Sequence, residues 1–181
     1  IPTQDGGLKP LENASGAKKL IEEAHANGVK VLLAVGGWND QDVLLEPVFA
    51  SATATTAKRS RLVNEIVAMF DGVDIDWEYP RTSGTYRQYE QLLSALSQRL
   101  HAQGKLLTTA VIGGVTVQGK PYSGAMAFTD AALEQVDWIN VMAYDRNETD
   151  HSPYDFATAC ADYWLETRGL PAEKIVLGVP F

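Results

Sequence analysis

Three acids stand two residues apart in one short run: Asp74, Asp76 and Glu78 within DGVDIDWEYP, Asp71 to Pro80. Successive side chains of a β-strand point to opposite faces, so these three share one face. Val73, Ile75 and Trp77 share the other, which suits packing beneath helices. Neighbouring Cα atoms in the acidic row lie about 6.6 Å apart, twice the strand rise. Three carboxylates on a buried face are costly unless protonated or hydrogen-bonded. Their mutual repulsion opposes full ionisation, so at least one must hold its proton above the ordinary carboxylate range. General acid catalysis near neutral pH needs this arrangement, with one acid protonated and a neighbour charged. A divalent-metal site competes with that reading, because Asp-x-Asp patterns bind hard cations. For further oxygen ligands the other expected strands offer only Asn140 and Asp145.

The elements that must position this row are legible as alternating patterns. Apolar runs at Val29–Val35, Val73–Trp77, Leu106–Ile112, Trp138–Met142 and Ile175–Val179 predict strands, rich enough in Val, Ile and Leu to be buried on both faces. Between them lie amphipathic helical faces. Ala17, Leu20, Ile21 and Ala24 form one, stopped by Asn27-Gly28; Leu62, Ile66 and Met69 form a second. Tyr86, Tyr89, Leu93, Leu96 and Leu100 form a third, ending near Gly104. Phe156 to Thr167 forms a fourth, with Gly169 at its stop and Pro171 beyond, and Ala131 to Gln135 a short fifth. Strand–helix alternation implies right-handed βαβ units and a parallel sheet. A doubly wound open sheet and an arc of a (β/α)8 barrel both fit that spacing. No linker or low-complexity tract divides the 181 residues, so one domain is expected.

A formal net charge of -8 argues against nucleic acid or an anionic membrane surface as partner and is compatible with a neutral polysaccharide. No apolar run is long enough to span a bilayer. The lone Cys160 falls in a helical pattern with Ala157, Ala161 and Trp164 and reads as a small buried hydrophobe. Met142 and Tyr144 share strand parity, and Asp145 follows at the strand's C-terminal end, where barrel active sites lie. Gly36-Gly37 allows a ligand to approach the backbone closely. Trp38 just beyond is either a platform for a sugar ring or a rim tryptophan packed on a loop. His25, His101 and His151 fall in helix or loop positions away from strand ends, and none is expected to act in catalysis. Ile1 to Asn13 reads as a loop, and KIVLGVPF as a final strand, so the chain is expected to be the central part of a longer domain.

DGVDIDWEYP resembles the signature D-G-x-D-x-D-x-E of glycoside hydrolase family 18, the chitinases and their relatives. The residues that carry it are Asp71, Gly72, Asp74, Asp76 and Glu78, with Tyr79-Pro80 after them. KVLLAVGGWND, Lys30 to Asp40, resembles the strand before that signature. VMAYD, Val141 to Asp145, resembles the family's Met-x-Tyr-Asp strand, and KIVLGVPF the strand after it. The resemblance implies a (β/α)8 TIM barrel, here incomplete, with residues 1–181 supplying strands three to seven of one partial catalytic domain. Strands one, two and eight are expected to lie outside it.

The resemblance further implies a chitinase that hydrolyses β-1,4-linked N-acetylglucosamine polymers with retention, by substrate assistance through an oxazolinium ion. In that scheme Glu78 is the acid, Asp76 orients the substrate acetamido group, and Asp74 beneath it shares a proton. Tyr144 hydrogen-bonds the acetamido group, Met142 lines the floor, and Asp145 binds sugar or contacts the acid. Trp38 and Tyr79 line the leaving-group side. No metal or organic cofactor is required. Chitin or a chito-oligosaccharide is the implied partner of a secreted protein, monomeric when complete. Two alternatives share the fold: an endo-β-N-acetylglucosaminidase acting on N-glycans and a non-catalytic chitin-binding lectin. Ala34 departs from the family pattern, which has Ser there to help hold the acid at position 74. Ala143 replaces a frequent Thr or Ser.

Overall fold

A computed structural model describes residues 1–181 except Met69, Val117, Glu148 and Phe181. The expected place of Met69 on the second helical face, and of Phe181 at the end of the last strand, therefore lie outside the described residues. Among the described residues, the chain runs α1 (Ala14–Ala26), β1 (Leu32–Gly37), β2 (Asn39–Asp40), β3 (Val43–Leu44), α2 (Glu46–Thr53), α3 (Thr56–Val67) and β4 (Gly72–Trp77). It continues through α4 (Tyr86–His101), β5 (Leu106–Ile112), α5 (Asp130–Leu133), β6 (Trp138–Met142), α6 (Tyr154–Asp162) and β7 (Ile175–Gly178).

The main sheet has five strands in the order β1-β4-β5-β6-β7, each parallel to its neighbours. Each strand pairs with the one that follows it in the sheet. A doubly wound sheet would reverse its order at some point. The unbroken sequential order is instead that of an arc of a (β/α)8 barrel. β2 and β3 form a separate antiparallel pair directly after β1.

Strand alternation sorts the two faces. Val73, Ile75 and Trp77 of β4, Leu107 and Val111 of β5, and Ile139 and Val141 of β6 are buried against the helices. α3 contributes Leu62, Val63, Ile66 and Val67, and α4 contributes Tyr89, Leu92, Leu93, Leu96 and Leu100. The opposite face carries Asp74, Asp76, Asn140 and Met142, which are only half-buried, and Ala34, which is exposed. The expectation of strands covered on both faces is met in β5, where Leu107 to Val111 are all buried, but not in β4 and β6, whose cleft-side residues are half-buried. β7 shows the same openness at Val176 and Leu177, both exposed.

The helix readings differ in three places, the first being α2, which none of the expected helical faces covers. α1 forms where its pattern predicts, capped by the Asn13 side chain on Gly16 N–H at 2.9 Å, yet it buries no residue and Leu20 is 59% exposed. Phe156 to Thr167 is helical, but α6 widens into a π-helical turn at Tyr163–Thr167. The β2–β3 pair and the 3-10 turn Ser123–Ala127 had no periodic signal, being too short to show one.

Two connections at the N-terminal end of the sheet use the same device. Asp71, just before β4, accepts a hydrogen bond from Val31 N–H at 2.8 Å, and its Oδ2 lies 2.7 Å from His25 Nε2 at the end of α1. Asp137, just before β6, accepts from Leu107 N–H at 2.7 Å, and its Oδ2 lies 3.1 Å from His101 Nε2 at the end of α4. Each carboxylate ties one strand's start to the neighbouring strand of the sheet and to the helix that leads into that neighbour, satisfying backbone donors that the connections leave over. The histidines that sequence reading left without a role supply the second partner.

Candidate active site

β4 sits between β1 and β5, and its C-terminal end is braced by rings. Phe49 of α2 stacks on Trp77 with centroids 4.9 Å apart, and Tyr89 meets Trp77 edge-on at 6.1 Å. Phe128 meets both Tyr89 and Tyr79 edge-on, at 5.5 and 6.5 Å. Edge-to-face contacts of this kind add to the burial of large rings. Tyr89 Oη shares a 2.7 Å hydrogen bond with Thr109 Oγ1, which donates to Ile75 O at 2.6 Å. The last turn of β4 is thereby fixed before Glu78 and Tyr79 leave it. The peptide bond joining those two is cis.

The acidic row descends from that point. Asp74 lies deepest, and its Oδ1 accepts from Thr108 Oγ1 at 2.5 Å and from Asn140 Nδ2 at 2.8 Å. Asn140 is itself oriented by Trp138 Nε1, which donates to its Oδ1 at 3.1 Å. Burial raises the Asp74 carboxyl above the ordinary range, against the lowering effect of those two bonds. Asp76 has no such compensation, for its Oδ1 is buried without a hydrogen-bond partner. Burial first, then the charges of Glu78 and Asp74, push it up to about 7. Burial also raises Glu78; a hydrogen bond from Tyr79 opposes that rise, and the Asp145 charge adds to it. All three carboxyls are therefore shifted towards the protonated form relative to solvated carboxylates.

Two adjoining clefts meet at Glu78. The larger, about 770 Å³, is lined by Asp76, Glu78, Met142, Tyr144 and Asp145 on one side and by Trp38, Tyr79 and Tyr122 on the other. The smaller, about 430 Å³, runs from Glu78, Tyr79 and Trp38 towards Leu44, Glu46 and Arg81. Trp38 is 53% exposed at their shared rim, its ring 6.2 Å from that of Tyr79. Burial and then the charges of Asp76 and Glu78 raise the Tyr144 hydroxyl, keeping it a proton donor. Among the described residues no group of three or more His, Cys, Asp or Glu side chains is placed to hold a metal ion.

Most of the expected site residues are therefore brought together, and the exceptions are informative. Gly37 lines neither cleft, and a Cβ there would meet nothing within 4 Å. The close approach belongs to Gly36, where a Cβ would fall 1.9 Å from Asp76 O, so the small residue admits the neighbouring strand's backbone. Asp71, inside the same motif, faces away from the clefts at the opposite end of the strand, bound to His25 and Val31. His151 was expected to stand apart, yet its Nε2 lies 2.6 Å from Asp145 Oδ1 and its ring stacks on Tyr144. Thr108 and Tyr122 were missed altogether. Thr108 had a signal, since it pairs in register with Asp74 and so shares its face. Tyr122 had none, because it reaches the cleft from an irregular loop after β5.

The family model described as Glycosyl hydrolases family 18 matches residues 3–181. The chain belongs to that family. A chitinase-like effector of Moniliophthora roreri is 32% identical over 98% of this chain and 49% of its own length. Chitinase A1 of Niallia circulans is 31% identical over 96% of this chain and 29% of its own. A solved chitinase from Rhizomucor miehei is 28% identical, with a TM-score of 0.76, over 99% of this chain and 59% of that one. The chain thus spans half or less of the length of these curated relatives. Ala34 pairs in register with Asp74 and brings no hydroxyl to it. The two bonds to Asp74 come from β5 and β6 on the other side.

Proposed function

We propose that this chain carries the catalytic centre of a chitinase, cleaving β-1,4-linked N-acetylglucosamine polymers with retention. The observation that carries the reading is Asp76, which lines the larger cleft together with Glu78 and has a buried carboxyl oxygen without a partner. A buried polar atom without a partner is costly, and an acetamido N–H is a donor able to satisfy it.

Glu78, whose burial favours the protonated form, gives its proton to the glycosidic oxygen as the bond to the anomeric carbon breaks. The carbonyl oxygen of the substrate's own N-acetyl group attacks that carbon and closes an oxazolinium ring. Asp76 takes the acetamido N–H and offsets the positive charge, with Asp74 beneath it sharing the row's proton. Tyr144 donates to the acetamido oxygen and orients it for attack. Glu78, now ionised, removes a proton from the water that opens the ring, so configuration is retained and the enzyme returns to its starting state. Met142 floors the reacting sugar, and Trp38 and Tyr79 flank the departing one. The substrate supplies the nucleophile, so the scheme calls for no metal or organic cofactor.

Residues 1–181 are read as strands three to seven of an eight-stranded catalytic domain, in line with the share of its relatives that the chain spans. Secretion and a monomeric state belong to the same proposal, as action on an insoluble polymer suits both. A binding-only protein of the same fold is the second reading; retention of Glu78 speaks for turnover. Release of chromophore from a chitobioside by the full-length protein separates them. Turnover that disappears in Glu78→Gln supports the chitinase, whereas oligomer binding without turnover supports the second reading.

A further inference from the structure

Asp145 lies three residues beyond the end of β6, next to Tyr144, and both line the larger cleft. Its backbone is left-handed, at φ 61°, and its side chain is 74% exposed. A carboxylate so exposed has little packing to fix its direction. Direction matters here, because the Asp145 charge is one of the influences acting on Glu78. The contact that fixes it comes from His151, whose Nε2 lies 2.6 Å from Asp145 Oδ1.

The imidazole is itself held. Its ring lies nearly parallel to that of Tyr144, with an angle of 12° between planes and centroids 6.4 Å apart. Arg146 N–H donates to His151 O at 3.1 Å, closing the loop on itself just beyond Asp145. The next residue, Ser152, donates through Oγ to Ala143 O at 2.5 Å, tying the loop back to the end of β6. The Arg146 guanidinium covers the ring of Phe156 in α6 at 5.3 Å. The loop is therefore anchored to both elements that flank it, and among the described residues the side chain it offers to Asp145 is His151.

We propose that His151 is a positioning residue for Asp145, with the Tyr144 ring setting the plane of the imidazole. This rests on the chitinase reading. His151 touches no reacting atom; it holds the Asp145 carboxylate in one direction at the mouth of the cleft, where that group faces the sugar and Glu78. A histidine that merely stabilised a surface loop would show the same contacts, so the two roles must be separated by function.

The experiment is a double-mutant cycle in the full-length protein, with kcat and KM measured on a chromogenic chitobioside and Tm measured for every variant. His151→Ala is expected to lower kcat/KM about tenfold. His151→Gln, whose amide nitrogen reaches the position of Nε2 and donates to the same carboxylate, is expected to recover most of that loss. In an Asp145→Asn background the His151→Ala loss is expected to vanish, because the charge that His151 holds is gone. A His151→Ala enzyme within about twofold of its parent, or an equal loss in both backgrounds, would overturn the proposal. So would a fall in Tm with kcat/KM unchanged. Glu78→Gln serves as the control for the underlying reading: undiminished turnover in that variant counts against the chitinase mechanism, not against His151. In that event the same cycle is read from chito-oligosaccharide affinity by calorimetry, with the same expected and contrary outcomes.

Discussion

Asp71 and Asp76 belong to one ten-residue motif, yet their surroundings drive them in opposite directions. Asp71 stands at the N-terminal end of the strand, where a backbone N–H and a histidine meet its carboxylate. Those bonds, led by the one from Val31, hold its pKa below the ordinary 3.8. Asp76 stands near the C-terminal end among other acids, with a buried oxygen that nothing satisfies, and is pushed up to about 7. Ionisation of Asp71 therefore favours the fold, and ionisation of Asp76 opposes it. A carboxyl given its partners by the chain serves structure. One left without them is poised to take a partner from a ligand.

The comparison is broken most severely at Glu78, the residue the strained row serves. Glu78→Gln keeps the shape and removes the proton, and kcat of the full-length enzyme is expected to fall by about 100- to 10,000-fold. Asp76→Asn is expected to cost about 100-fold in kcat, since it removes the acceptor for the acetamido N–H and its compensating charge. The same substitution should also stabilise the fold at high pH. The Asp76 penalty is absent below the ordinary value of 3.8 and fully present above about 7. Thermal melts at pH 8 should accordingly place Asp76→Asn a few degrees above the parent, and melts at pH 3 should show no such gain. Thr108→Val removes one of the two bonds to Asp74 and should lower kcat about tenfold, with KM little changed. Asp71→Asn should leave kcat within about twofold and act on stability instead, lowering Tm at pH 7. The stability that Asp71 contributes is present above the ordinary carboxylate range and lost as pH falls through its lowered value, so the deficit should shrink in acid.

Much of the upper end of β4 could be read from spacing alone, because strand parity depends only on sequence neighbours. Spacing puts Asp74 and Asp76 on one face and Val73, Ile75 and Trp77 on the other, as the strand shows, and Glu78 just beyond it joins Asp76 in lining the larger cleft. Periodicity likewise located the five main strands and the helices between them except α2, while the choice between barrel arc and doubly wound sheet waited for strand order. The lower end was opaque for a related reason. The partners of Asp71 lie 46 and 40 residues away, and only the folded chain brings them together. His151 escaped notice because the loop after β6 returns to that strand's end, a path that no periodic pattern encodes. Gly36 and Gly37 were read as a pair, but only the register of β1 against β4 reveals that Gly36 makes room for Asp76.

The central claim is that the two ends of β4 titrate in opposite senses because one carboxyl is partnered and the other is not. Carboxyl-carbon NMR of the full-length protein across pH 2 to 9 measures this directly. The expected result is an Asp71 midpoint below 3.8 and an Asp76 midpoint near 7, with the latter disturbed when a chito-oligosaccharide binds. Midpoints for both residues within the ordinary carboxylate range, indifferent to the oligosaccharide, would contradict it.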